Sequence, residues 1–250
     1  MYDAFTVLVV VGTFLIAGAV KGVIGLGLPT VSLALLTVAI GLPQAMVLLL
    51  VPSLVTNVWQ ALVGGNGKAI VRRLWPFFLT ATITVWGGAM ALTRVDLSWL
   101  SALLGGLLIM YATVNLSGYR FTIATGREAW IGPLAGSVNG ILTGMTGSFV
   151  VPGVMFLQAI GLPRDMLIQA MGMLFTASTL ALAIALQGNR LLTVELGSLS
   201  TAALLPTVLG MVIGQRIGQR LPEQLFRRVF FISLLLLGAY FIANALRGAH

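Results

Sequence analysis

Long apolar runs occupy almost the entire chain, and they limit its possible folds more than any other feature of the sequence. Charged residues make up 8% of the 250 residues and hydrophobic residues 58%, whereas about 25% of the residues in a soluble domain are charged. This pattern predicts an all-α polytopic membrane protein, because long apolar segments with few charges are typical of membrane-spanning helices. The runs lie at 5–24, 28–41, 44–64, 71–92, 98–116, 129–143, 149–160, 165–187, 197–215 and 228–246.

The residue types that the chain lacks exclude several kinds of site. The sequence has no cysteine, and its single histidine is His250, so zinc, haem and Ser-His catalysis lack their usual ligands and bases. We therefore expect no metal and no cofactor. All six acidic residues lie at the ends of apolar runs, so an intramembrane enzyme would have to rely on a Ser148–Lys21 dyad. The basic residues are scattered between runs and form no basic face, which argues against nucleic acid as a partner.

Two short motifs recur in the same order and indicate an internal duplication. Residues 17–22 (AGAVKG) match residues 135–140 (AGSVNG), and the sequence AIGLP occurs at both 39–43 and 159–163. Apolar chains produce chance matches easily, but two matches in one order favour a duplicated half. We therefore divide the chain into a first repeat, 1–120, and a second repeat, 121–250.

Each copy has a glycine-rich interruption between its two motifs, at 22–30 and at 140–148. Glycine disfavours a continuous helix, and Pro29 fits the first turn of a new one. We therefore predict two short helices joined by an unwound tip in each half, forming re-entrant hairpins over 5–41 and 129–160. The alternative is one kinked transmembrane helix followed by a long loop.

The placement of the basic residues favours the hairpins over the kinked helices. Eight simple crossings, with Lys21 left out as intramembrane, would put seven basic residues on one side and six on the other. Re-entrant hairpins instead put ten on one side and three on the other, which is the asymmetry expected of a cytoplasmic face. The ten are Lys68, Arg72, Arg73, Arg120, Arg127, Arg164, Arg216, Arg220, Arg227 and Arg228.

Each half then consists of a re-entrant broken-helix hairpin and three transmembrane helices. The three spans lie at 44–64, 71–92 and 98–116 in the first half, and at 165–187, 197–215 and 228–246 in the second. Because three is an odd number of crossings, the two repeats are inverted relative to one another, and both termini face away from the cytoplasm. Inverted repeats with broken helices near the membrane midplane are a common plan for secondary transporters.

Lys21 is the only charged residue well inside an apolar run, where a charge is costly and is by default functional. Without an acidic residue nearby in sequence, we expect its partner to be a bound anion or backbone carbonyls, and the alternative is that Lys21 snorkels to the interface. Asn139 is its counterpart in the second half. A helix starting at Pro29-Thr30 or at Ser148 would direct free N–H groups at an anion.

Other polar groups could serve packing instead of binding. The hydroxyl groups at the tips could only cap the broken helices, and the amide groups on the following spans could only cross-link helices. The Gly-xxx-Gly spacings predict close helix packing, not a nucleotide loop. The candidate substrate-binding residues are Lys21, Gly25, Gly27, Thr30, Asn57, Gln60, Asn139, Thr143, Thr146, Gly147, Ser148 and Gln169.

The glycine-rich openings of both halves carry a family resemblance. The first has Gly18, Gly22, Gly25, Gly27 and Pro29, and the second has Gly136, Gly140, Gly144 and Gly147, each followed by a Gly-Leu-Pro step. Over nearly the whole chain, the sequence resembles the sulfite exporter TauE/SafE family of bacterial membrane permeases.

The resemblance implies transport of sulfite or a small organosulfonate such as sulfoacetate across the bacterial cytoplasmic membrane. We expect alternating access, with the anion bound near the midplane between the two tips and Lys21. The expected partners are this small anion and the lipid bilayer, and the sequence leaves homo-oligomerisation open. A non-transporting membrane assembly or anchor protein is the alternative, but it gives no reason for two polar broken helices.

Overall fold

The chain folds almost entirely into helices. The computed structural model describes residues 3–119, 121–124, 126–219 and 223–248. Helices account for 84% of the protein, and the described ranges contain no strand, so the predicted all-α class is confirmed. Arg120, Arg220 and His250, which the sequence argument used, lie outside the described residues.

Twelve α-helices and one short 3₁₀ helix, Met90–Thr93, are found within the described ranges. Most of them follow single apolar runs, but the runs at 44–64 and 197–215, each predicted as one span, are divided between two helices. In chain order the α-helices are α1 (Ala4–Ile24), α2 (Leu28–Ile40), α3 (Leu42–Leu48), α4 (Leu50–Leu62), α5 (Gly67–Ala89), α6 (Leu97–Ser117), α7 (Glu128–Thr146), α8 (Gly153–Ala159), α9 (Arg164–Gly188), α10 (Val194–Ala202), α11 (Leu204–Gly218) and α12 (Glu223–Gly248).

Six helical segments of the described chain are long and apolar enough to cross a membrane, and a bent pair adds a seventh. The pair is α3 and α4, which meet at an angle of 44°. The six are Ala4–Ile24, Gly67–Thr93, Leu97–Ser117, Arg164–Gly188, Val194–Gly218 and Gln224–Arg247. The protein is therefore a multi-pass membrane protein. By contrast, α2 has 13 residues and α8 has seven, which is too short to span a bilayer.

Two compact units make up the chain, and each contains segments of both predicted repeats. Unit 1 comprises Met1–Pro52, Val95–Tyr119 and Leu191–His250, and unit 2 comprises Ser53–Arg94 and Arg120–Arg190. The division into repeats 1–120 and 121–250 stays a prediction.

In unit 1, α1 packs against α11 through glycines. A Cβ on Gly18 would overlap the carbonyl of Thr207, and a Cβ on Gly22 would overlap the carbonyl of Met211. Because the contact advances by one turn along both helices, α1 and α11 run parallel. The close packing predicted from the Gly-xxx-Gly spacing is confirmed here.

In unit 2, α7 packs against α5 in the same manner. A Cβ on Gly140 would meet the carbonyl of Ala81, and a Cβ on Gly144 would overlap that of Val85. These helices also run parallel. In both units the opening helix of one predicted repeat packs on the second span of the other repeat.

Within unit 2, α5 and α9 run parallel as well. The backbone N–H of Asn66, just before α5, donates to Gln169 Oε1 at 2.9 Å. At the other end of the two helices, Asn189 Nδ2 donates to the Ala89 carbonyl at 2.9 Å. Since α7 is also parallel to α5, α7 and α9 point the same way, and the chain has to return between them through α8.

Arg73 joins the two ends of this returning segment. Its guanidinium forms two hydrogen bonds with the carboxylate of Glu128, at 2.6 and 2.8 Å, and it donates to the Ile160 carbonyl at 3.4 Å. Glu128 begins α7 and Ile160 follows α8. The segment 129–160 therefore leaves and returns to the same end of unit 2, as a hairpin requires. Its orientation in the membrane stays a prediction.

Candidate functional site

The first tip, defined as residues 25–27, breaks the helix between α1 and α2. Gly25 and Gly27 have φ values of 81° and 103°, a left-handed conformation that glycine adopts without the penalty of a side chain. The N–H of Gly25 donates to the Lys21 carbonyl at 2.8 Å and closes the last turn of α1. At its start, α2 has no side-chain cap, and Pro29 occupies its first turn.

Lys21 lies in the last turn of α1 and is 5% exposed. Among the side chains that the structure describes, it is the one charged group that is buried. The carbonyl end of a helix carries a partial negative charge and suits a cation. Thr30, in the first turn of α2, is also buried. The first tip thus combines an ammonium group, an uncapped helix start and a buried hydroxyl within one short segment of unit 1.

The backbone at the start of the second tip, defined as residues 147–152, is hydrogen-bonded to threonine hydroxyls in the last turn of α7. Thr143 Oγ1 donates to the Ser148 carbonyl at 2.9 Å. Thr146 Oγ1 donates to the Leu142 carbonyl at 2.7 Å and accepts from the Ser148 N–H at 3.2 Å. Gly147 supplies the left-handed turn, with φ of 73°. In this structure both threonine hydroxyls serve local capping.

The helix after the second tip begins at Gly153, so the prediction of a helix start at Ser148 is wrong. The reason is Pro152: a residue that precedes proline is disfavoured in the helical conformation, which keeps Val151 out of a helix. The N–H of Gly153 donates to Asn139 Oδ1 at 2.9 Å. Asn139 therefore caps α8 from α7, and this helix start has no free N–H at that position for an anion.

The nitrogen of the Asn139 side-chain amide takes no part in this cap. Asn139 is fully buried, and its Nδ2 has no hydrogen-bond partner among the described residues. Because Oδ1 accepts from Gly153, the amide orientation is fixed with Nδ2 as the remaining donor. Asn139 can thus offer two N–H bonds to an acceptor.

Two glutamines tie α4 to α9 by reciprocal bonds. Gln60 Nε2 donates to the Ile168 carbonyl, and Gln169 Nε2 donates to the Ala61 carbonyl, both at 2.8 Å. These bonds cross-link helices, and a substrate-binding role for either glutamine stays a prediction. Asn57 lies fully buried on α4.

The candidate residues therefore group by unit. In unit 1 the first tip brings together Lys21, Gly25, Gly27 and Thr30. In unit 2 the second tip brings together Asn139, Thr143, Thr146, Gly147 and Ser148, while Asn57, Gln60 and Gln169 lie on α4 and α9.

The Arg73–Glu128 ion pair was not predicted from the sequence. In the sequence, the two partners are an arginine near the start of the run at 71–92 and a glutamate just before the run at 129–143. Opposite charges at the same end of two helices can pair, and only the packing of α5 on α7 reveals that these two do.

A family model described as sulfite exporter TauE/SafE matches residues 10–241, nearly the whole chain. The chain belongs to this family. TauE/SafE proteins are membrane transporters, and the resemblance drawn from the glycine motifs is confirmed. No curated protein and no solved structure matches the chain.

Proposed function

We propose that this TauE/SafE protein is a secondary transporter of a small anion in the bacterial cytoplasmic membrane, with sulfite or a small organosulfonate such as sulfoacetate as its substrate. The observation that carries the proposal is the burial of Lys21 in the last turn of α1. Transport proceeds by alternating access, for which inverted repeats with broken helices provide a known plan.

The burial of Lys21 argues against snorkelling. A lysine that snorkels keeps its ammonium group at the surface while its stem follows apolar neighbours. Lys21 is instead 5% exposed. A cation at that depth is costly unless a group of opposite charge or a set of carbonyls accompanies it, and such residues usually mark a substrate or ion pathway.

The start of α2 supports an anion as the ligand. The first N–H groups of a helix lack partners within the helix and carry partial positive charge, and α2 has no side-chain cap. A positive helix end and a lysine in one tip repel one another, and a bound anion between them removes this repulsion. Sulfite and sulfonate groups present three oxygen acceptors, which suits several donors at once.

Transport by purified protein in liposomes tests the proposal. Wild type should take up labelled sulfite or sulfoacetate, whereas Lys21→Met, which keeps the length of the side chain and removes its charge, should not. The matched control is Lys68→Met, because Lys68 is the only other lysine and is exposed. Both variants should fold, as judged by thermal unfolding in detergent. Failure of wild type to carry either anion, or full activity of Lys21→Met, would contradict the proposal.

A further inference from the structure

Two hydroxyl groups on α9, like those of Thr37 and Ser53, lack a hydrogen bond that many helical hydroxyls of the described chain make. A serine or threonine in a helix commonly donates to the carbonyl four residues earlier. Ser178 and Thr179 do not, although both are buried, and neither hydroxyl has a hydrogen-bond partner among the described residues. The residues that make this hydrogen bond are Ser32, Thr80, Thr82, Thr84, Ser137, Thr146, Thr176, Thr201, Thr207 and Ser233.

The second tip packs on the same stretch of α9. A Cβ on Gly153 would meet both the amide of Asn139 and the side chain of Leu174, so these two groups lie together. The rings of Phe149 and Phe175 are 5.8 Å apart. Ser178 follows Leu174 by one helical turn and therefore lies on the same face of α9. Thr179 follows Phe175 in the same way, so the two hydroxyls lie one helical turn beyond the residues of α9 that Gly153 and Phe149 approach.

These unpartnered groups are hydrogen-bond donors, and the carboxylates of unit 2 lie at the starts of helices α7 and α9, away from them in sequence. Asn139 offers two N–H bonds, because its oxygen is used by Gly153, and each hydroxyl can donate one more. The acidic residues of unit 2 are Glu128 and Asp165, in the first turns of α7 and α9. Buried donors without partners are costly, so the arrangement favours a ligand that brings several acceptor oxygens and disfavours a metal cation.

We infer that Asn139 Nδ2, Ser178 Oγ and Thr179 Oγ1 form a neutral site for the three-oxygen head group of sulfite or a sulfonate. The inference rests on the proposed function, from which it takes the ligand, and names a site whose residues all belong to unit 2. Neutral donors hold an oxyanion by hydrogen bonds to a charged acceptor, which are stronger than bonds between neutral groups.

The test removes the two hydroxyls without changing the shape of the side chains much. The double variant Ser178→Ala, Thr179→Val should bind sulfite about 100-fold more weakly, since each bond to a charged acceptor contributes about a factor of ten. Without sulfite, its thermal stability should be equal to or above that of wild type, because the lost hydroxyls have no partner in the protein. Thr176→Val is the matched control: its hydroxyl donates to the Gly172 carbonyl at 2.7 Å, and its removal should leave sulfite binding unchanged.

The variant Asn139→Asp provides a second test of the same inference. It keeps an oxygen to accept from Gly153 and replaces the donor with an acceptor, so sulfite-dependent thermal stabilisation should disappear. If wild type binds sulfite and both sets of variants bind it equally well, the inference is overturned and the proposed function stands. If wild type neither binds nor transports sulfite or sulfoacetate, the proposed function itself fails.

Discussion

The two tips occupy matching places in the predicted repeats, yet their backbone groups are hydrogen-bonded in different ways. The first tip has three residues and leaves the start of α2 without a side-chain cap, with Lys21 buried one turn before the break. At the second tip the position that matches Lys21 is Asn139, whose oxygen caps α8. One position therefore places a charge in the membrane in the first half and completes a helix in the second.

Under the predicted duplication, this difference is a division of tasks between two copies of one segment. The shared element is the backbone plan: a glycine-packed helix, a left-handed glycine and a shorter second helix. The side chains on that plan have diverged, so equivalence in sequence predicts the location of a polar group better than its role.

The largest contrast is expected between the membrane sides on which two repeat-equivalent loops lie. Gln44 and Arg164 lie in repeat-equivalent loops, and both are exposed. The inverted arrangement puts Gln44 outside and Arg164 inside. The chain has no native cysteine, so a membrane-impermeant thiol reagent on intact cells should label Gln44→Cys fully and Arg164→Cys not at all. Permeabilised cells should label both, and equal labelling of intact cells would rule out inverted repeats.

Exchanging the two matching residues should have unequal effects. Lys21→Asn should fold and lose anion-dependent stabilisation. Asn139→Lys should lose about 3 kcal/mol or more, because it removes the acceptor for the Gly153 N–H and buries a second charge. Thermal unfolding and yield of folded protein in detergent measure both effects. Equal stability of the two variants would show that the tips differ less than their hydrogen bonds indicate.

The glycine packing should respond alike in both halves. Gly88→Ala in α5 and Gly22→Ala in α1 should each cost about 2 kcal/mol, since the new methyl group meets backbone of the facing helix. Their controls are Gly87→Ala and Gly12→Ala, where the added Cβ meets nothing within 4 Å. The controls should be neutral or slightly stabilising, because alanine is the better helix former. A cost in only one unit would show that the two glycine contacts are not equivalent.

Local features of the fold were predictable from the sequence because their causes are local. The ends of most helices follow the ends of the apolar runs, and the spacing of Gly18 and Gly22 indicates a narrow helix face wherever its partner lies. The start of α8 was also within reach, since Pro152 excludes the helical conformation at the preceding residue.

Partnerships over long sequence distances were not predictable in the same way. Gln60 bonds to a carbonyl 108 residues away, and its amide gives no sign in the sequence of whether it will face a helix or a cavity. The oxygen of Asn139 is likewise used by Gly153 only because α8 folds back beside α7. Both hydrogen bonds depend on tertiary packing, which the pattern of apolar and polar residues in a single sequence does not specify.

The pairing of α1 with α11 has a consequence for how the protein is made. When α1 enters the membrane, about 180 residues still have to be synthesised before α11 begins at Leu204, which takes roughly 10–40 s at ordinary rates of translation. Throughout this interval the glycine face of α1 has lipid or the insertion machinery beside it and not its final neighbour. A messenger truncated before α11 therefore yields a chain in which α1 never finds this partner, although α1 itself was made long before.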